Sequence, residues 1–257
     1  MTPRAASARA ATPRSRASVP ARVAIAVALV ATLAAAGCDR REKLAAQAAA
    51  QAAAEEDAAK QGEAAFEAAL ADGNWALAKA QGDVLLMQHP GSQAAARVKP
   101  KLEDVAAKAL AQREQSRLAG LWTYQSEPVQ GGDQLSASIY AKDNVDVDGS
   151  GPTQVRLIFR DHPSWGKSSY LVLQKGDFDC YRGCRVKVVA DGTAHSLPAS
   201  RPKTDEAIAM FIDDRKALWK LATTSKTIGI EFPTRDVGKR TAAFETGGLD
   251  AARLPGW

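Results

Sequence analysis

Few residues in this chain could do chemistry, and their spacing decides between reactive and structural uses. Cys180 and Cys184 enclose Tyr181-Arg182-Gly183. Two thiols so placed can close a disulfide across a tight loop, and the C-x-x-C spacing of dithiol oxidoreductases is absent. The segment from Asp177 to Val189 reads as two strands joined by that loop, with Gly183 supplying the left-handed conformation the loop needs. Closing so short a loop contributes only about 2 kcal/mol. A redox-active pair and a metal site are the alternatives to a structural bridge. A metal would have to draw on His89, His162 and His195, each beside turn residues and no two at metal-ligand spacing. The same scatter argues against a His-based triad.

Asn144-Val-Asp146-Val-Asp148-Gly149-Ser-Gly151 imitates half of an EF-hand loop. Counting from Asn144, position twelve is Val155, where calcium needs a bidentate Glu. The stretch therefore reads as a polar turn between strands, with a weaker cation site as the alternative. Asp177 and Asp179 could in principle supply acid and base. They flank Phe178 on an expected strand, which puts both on the solvent face. Asp213 and Asp214 are better placed to cap a helix. No G-x-S-x-G, phosphate-cradling glycine loop or G-x-G-x-x-G occurs. The expectation is a non-enzymatic protein with no cofactor and no metal, and a hydrolase using loop carboxylates is the remote reading. Among the tryptophans, Trp219 is expected to face a sheet from a helix. Trp165, in Asp161-His-Pro-Ser-Trp-Gly166, is the candidate contact residue, weighed against a structural role.

The remaining cysteine, Cys38, sits at a different kind of junction. Residues 1–37 carry Arg4, Arg9, Arg14, Arg16 and Arg22 and no acid. They run into the apolar stretch Val23 to Ala36, then Gly37-Cys38. A basic segment, an apolar core and small residues before a break are the parts of a secretory signal. The core's 14 residues span about 21 Å as helix, short of the ~30 Å hydrocarbon layer. Removing five arginines from 34 basic residues leaves 29, matching the 29 acidic residues. The processed chain is neutral, so the net +5 gives no case for nucleic acid.

Ala35-Ala36-Gly37-Cys38 resembles the lipobox of bacterial lipoproteins, with Ala35 standing where the family favours Leu. The resemblance implies a diacylglycerol on Cys38, which becomes the new N-terminus. An unlipidated cleaved product and an uncleaved anchor are the other readings. Several acyl chains at ~0.8 kcal/mol per buried methylene would hold the chain firmly to a membrane. Asp39 resembles the sorting residue that retains enteric-type lipoproteins in the inner membrane. The expected address is a cell membrane, lipid-anchored and facing the periplasm, where a cysteine pair is oxidised.

The fold that follows is α+β. Residues 38–62 form an Ala-rich helical spacer or tether, in which Leu44 is the only large apolar residue before Lys60. Residues 63–119 read as a helical hairpin plus a third helix, starting at a Ser92 cap and bent at Pro100. Gly73-x-Trp75-x-x-Ala78 followed by Pro90 resembles one tetratricopeptide repeat. A single copy implies packing or spacing before peptide binding. Residues 120–257 carry short Val-, Ile-, Tyr- and Phe-rich runs between turns, an antiparallel, sandwich-like β domain. These runs are 121–124, 135–141, 154–160, 168–174, 178–180, 184–190, 207–212, 226–232 and 241–245. One helix, from Asp213 to Ala222, crosses the sheet. Val155-Arg-Leu-Ile-Phe-Arg160, Phe211, Leu221 and the stretch Phe244 to Leu249 resemble the invasion-associated locus B group and accessory proteins linked to type VI secretion. That resemblance implies a periplasmic interaction or assembly module with an envelope protein partner and transfers no functional residue. A small-ligand or cell-wall glycan-binding lipoprotein is the alternative.

Overall fold

The computed structural model describes the backbone from Ala21 and the side chains from Arg40, both through to Trp257. The lipid and sorting assignments to Cys38 and Asp39 lie outside the described side chains. The described residues divide into two compact units, those up to residue 65 with 81–100, and residues 66–80 with 101–257.

Helix α1 (Ala21–Ala71) is continuous, and residues 40–55 are exposed on every side. This is what an Ala-, Gln- and Glu-rich stretch without an apolar stripe dictates. Within the first unit, burial begins at Ala59 and includes Leu85 of α2 (Trp75–Gln88) and Val98 of α3 (Gln93–Val98). Ser92 caps α3 by accepting from the Ala95 N–H at 3.0 Å. The Glu56 carboxylate from α1 accepts from the Gln93 and Ala94 amides at 3.0 and 3.3 Å. Two orphan donors at a helix start are thus met by a neighbouring helix. Glu63 grips Arg97 through both of its oxygens.

The expected bend at Pro100 takes the form of a 3-10 turn, Lys99–Lys101, before α4 (Leu102–Ala119). In the second unit, Gly73 adopts φ +66° and Asn74 caps α2 by accepting from the Leu77 N–H. Lys108 of α4 lies 4.5 Å from the centre of the Trp75 ring.

The rest of this unit is an antiparallel sheet. Its strands are β1 (Trp122–Val129), β2 (Gly132–Tyr140), β5 (Val155–His162), β6 (Gly166–Leu173), β7 (Cys184–Ala190), β8 (Thr193–Ser200), β9 (Ala209–Ile212), β10 (Ile228–Thr234) and β11 (Gly238–Phe244). They lie side by side in the order β1-β2-β5-β6-β9-β8-β7-β10-β11. A separate ribbon pairs β3 (Val145–Asp146) with β4 (Pro152–Thr153). The sheet curls until the Lys142 amide, just past β2, donates to the Ala243 carbonyl of β11. One core then collects residues from strands at both ends, Trp122 and Ile139 with Ile230 and Phe244. Helix α5 (Arg215–Thr224) connects β9 to β10 and packs against β6, burying Leu218 and Ala222.

The α+β class is therefore as expected, and one strand pairing is not. Residues 177–180 form no hairpin with β7, since Phe178 makes only an isolated bridge to Thr234. The partner of β7 is β8, which its polar residues and Pro198 concealed from apolar alternation.

Helix α4 is docked on the C-terminal segment of the same unit. Arg117 binds Glu245 at 2.7 Å and Glu114 at 2.8 Å. A Cβ on Gly248 would overlap the backbone of Leu118 and Ala119. A Gly248→Ala variant is thus expected to lose about 1–3 kcal/mol of stability by chemical denaturation, because only backbone could yield. Unchanged stability would refute the close approach.

Hydrogen bonding to Arg117 holds the Glu245 carboxyl below its ordinary value of 4.5. A depressed folded pKa means that the pair stabilises above the unfolded carboxylate range. Its contribution fades as pH falls through the lower, folded value. Acid unfolding should show a component below pH 4.5 that Glu245→Gln removes, and an identical acid limb in both proteins would contradict this.

Candidate binding face

Strand β5 has the sequence Val155-Arg-Leu-Ile-Phe-Arg-Asp-His162, and period-two alternation sorts it. Val155, Leu157 and Phe159 are fully buried in the core. Arg156, Ile158 and Arg160 therefore occupy the outer face. Antiparallel registers set Tyr140, Ser138 and Ser136 beside them on β2, and Val172, Tyr170 and Ser168 beside them on β6. Phe211 of β9 follows beside Tyr170.

These neighbours make two arginine–aromatic units. The Arg156 guanidinium lies 5.5 Å from the Tyr140 ring centre, and its Nη2 donates to the Ser138 hydroxyl at 2.8 Å. The Arg160 guanidinium lies 5.5 Å from Trp165 and 5.4 Å from Tyr170. Tyr170 in turn meets Phe211 at 5.4 Å. Among the described residues neither arginine is paired with a carboxylate, and both guanidiniums are permanently charged. The Nε–H groups of Arg156 and Arg160 and the Ser168 hydroxyl are shielded and meet no partner among the described residues. Ser168 and Phe211 also line a shallow recess of about 200 Å³ with Lys167, Ser200, Asp213 and Arg215.

Trp165 is 72% exposed yet held in place. The loop between β5 and β6 ends at Gly166 with φ +72°, a left-handed residue closing a three-residue hairpin. His162, 7% exposed, accepts at Nδ1 from the Ser164 and Trp165 amides. Its ring stacks on Trp165 at 3.9 Å and 14°. His162 thus orients the Trp165 ring, an arrangement its position beside a turn did not reveal. The sequence reading singled out Trp165 and missed Arg156 and Arg160, although their alternation with Leu157 and Phe159 was the available signal.

The other candidates are dispersed. Cys180 and Cys184 are bridged, with Cα atoms 5.2 Å apart, and Gly183 between them adopts φ +87°. Asp214 caps α5 through the Ala217 amide, while Asp213 accepts from the Ser200 hydroxyl at 2.7 Å. Trp219 does face the core, 5.0 Å from both Phe159 and Trp257. In the 144–151 stretch, Asp146 accepts from the Gly149 amide and Asp148 from that of Ser150, so the carboxylates close the turn itself. Among the described residues, no three His, Cys, Asp or Glu side chains gather as a metal site.

Asp177 departs from its expected solvent position. It is 1% exposed, binding Arg201 at 2.7 Å and Arg235 at 2.8 Å and accepting from the Ala207 amide. Its segment leaves the ladder to join two loops, the one between β8 and β9 and the one between β10 and β11, so strand alternation does not apply to it. Asp179 is exposed as expected.

No family model matches this chain, and no curated protein and no solved structure does. Among the described residues, no helix is long and apolar enough to cross a membrane.

Removing one partner of a buried ion pair strands the other. Asp177→Ala should cost about 3–5 kcal/mol, since the Arg201 side chain is only 6% exposed. Arg235→Ala should cost about 0–1 kcal/mol, because Arg235 is half exposed. Equal effects in urea unfolding would contradict this asymmetry.

Proposed function

We propose that the chain is exported and held at a cell membrane through lipid on Cys38, facing the periplasm as a non-enzymatic interaction or assembly module of the envelope. The observation that carries this reading is the acid-free basic leader, whose short apolar core hands over directly to a cysteine. Two features support it. The solvated helix over residues 40–55 suits a spacer of about 25 Å above a bilayer. The Cys180–Cys184 bridge suits an oxidising compartment. Asp39 favours retention in the inner membrane, and secretion-system assembly is the service that the β domain's resemblance implies. The partner is an envelope protein.

A second reading, a lipoprotein that binds cell-wall glycan, draws on the arginine–aromatic face of β5. Rigid aromatic surface beside unpaired guanidiniums is a recognition surface in the making.

The test is metabolic labelling with a fatty acid, followed by membrane fractionation. Wild-type protein should take up label and stay in the membrane fraction after carbonate or high-salt washing. Cys38→Ser should lose the label and accumulate as an unprocessed precursor. An unlabelled wild type would overturn the reading, as would a variant that is processed and held like the parent.

A further inference from the structure

We infer that the outer face of β2, β5, β6 and β9 binds a sparsely charged, carboxylate-bearing glycan. Arg156 and Arg160 are the anion contacts, and Tyr140 and Trp165 are the exposed stacking surfaces. The inference deepens the second reading above and rests on it.

The spacing of charge selects this ligand. Arg156 and Arg160 are four residues apart on one strand, or about 13 Å at ~3.3 Å per residue. Each carries its own aromatic partner. Two fixed cations so far apart suit a polymer whose carboxylates recur at intervals along rings that can stack. Duplex nucleic acid places a charge every ~1.7 Å and rewards dense basic patches. Arg156 and Arg160, four residues apart on one strand, are not such a patch. Anionic lipid headgroups call for clusters of roughly 4–8 basic side chains.

The other occupants fail on geometry. A small molecule needs an enclosing pocket of ~300 Å³ or more, and the recess beside Ser168 holds about 200 Å³. An acidic peptide adding itself as a strand needs free backbone. Strand β5 is hydrogen-bonded to β2 on one side and β6 on the other. What the face does offer is ring surface, guanidinium forks and the half-buried Ser136 hydroxyl. These fit sugar rings, carboxylates and sugar hydroxyls in turn. Tyr140 is 50% exposed and Trp165 72%, so both can reach a ligand lying on the sheet.

The face also carries an unrecovered cost. Among the described residues, two shielded Nε–H groups and one shielded hydroxyl lack partners, which is costly where water is excluded.

The experiment titrates the purified full-length chain in detergent with a uronic-acid oligosaccharide, following tryptophan emission and heat of binding. A carboxyl-reduced, neutral counterpart and polyglutamate serve as competitors. The acidic sugar should bind saturably and weaken with salt, while the neutral sugar should bind at least tenfold less tightly. Arg156→Gln and Arg160→Gln should each lower affinity roughly tenfold, the worth of one charge-assisted hydrogen bond. Trp165→Ala should do the same, while Arg182→Gln, an exposed change beside the disulfide, should leave affinity unaltered. Equal binding of both sugars by the wild type would overturn the inference, as would binding of neither or tighter binding of polyglutamate. The ligand arms use only wild-type protein, so a misfolded variant cannot hide the answer. Binding is measured without reference to the anchor, so its failure and a failure of Cys38 acylation are separately visible.

Discussion

The alternation of side chains along β5 governs the rest of the β domain. Phe159 points inward to meet Trp219 and Trp257 at 5.0 and 5.4 Å, with Trp122 at 6.3 Å. Its neighbour Arg160 points outward, between Trp165 and Tyr170. A slip of one residue would send the arginines into a core that holds no acid for them and put Phe159 in water. Burying Val155, Leu157 and Phe159 contributes about 1.5–3 kcal/mol per residue. That same term fixes where the guanidiniums must stand. Core formation and display of the outer face are thus one event.

The same inner layer draws in two chain segments that lie outside the sheet. Trp219 arrives on α5 and Trp257 at the end of the chain, and both converge on Phe159. The terminal segment is pinned where the Thr246 hydroxyl donates to the Ser225 carbonyl and the Gly247 amide to that of Lys226. Helix α4 can lie so close because residue 248 is glycine, and Arg117 secures it there from outside. Apolar convergence sets the position, and the exposed ion pair adds a pH-sensitive increment to it.

What could be read in advance followed from local rules. Ser92 and Asp214 cap helices because a side-chain oxygen before a helix meets an orphan amide wherever the helix lies. The Cys180–Cys184 bridge followed from spacing, and the inward Trp219 from helical period. Readings that needed a partner strand or loop failed. Strand β8 escaped because Thr193, Ala194 and Ser196 lie exposed and only Leu197 and Ala199 face the core. Asp177 was placed in solvent because nothing local to it shows Arg201 and Arg235, 24 and 58 residues further on. The outer face of β5 was passed over for the same reason. A lone arginine on a strand looks like solvated polarity until register shows that aromatic rings flank it.

The contrast between arginines in this one domain bears on what the outer face is for. Arg201 is structural, and the fold treats it accordingly. Its side chain is 6% exposed, it binds the buried Asp177 carboxylate, and it donates to the carbonyls of Phe178, Thr204 and Asp205. A buried guanidinium tolerates nothing less, because desolvating a charge without pairing it costs several kcal/mol. Arg156 and Arg160 are half-buried, have no acid among the described residues, and lean on π faces worth about 0.5–1 kcal/mol each. The fold satisfies Arg201 fully within itself, whereas these two stand on a central strand with no carboxylate beside them among the described residues.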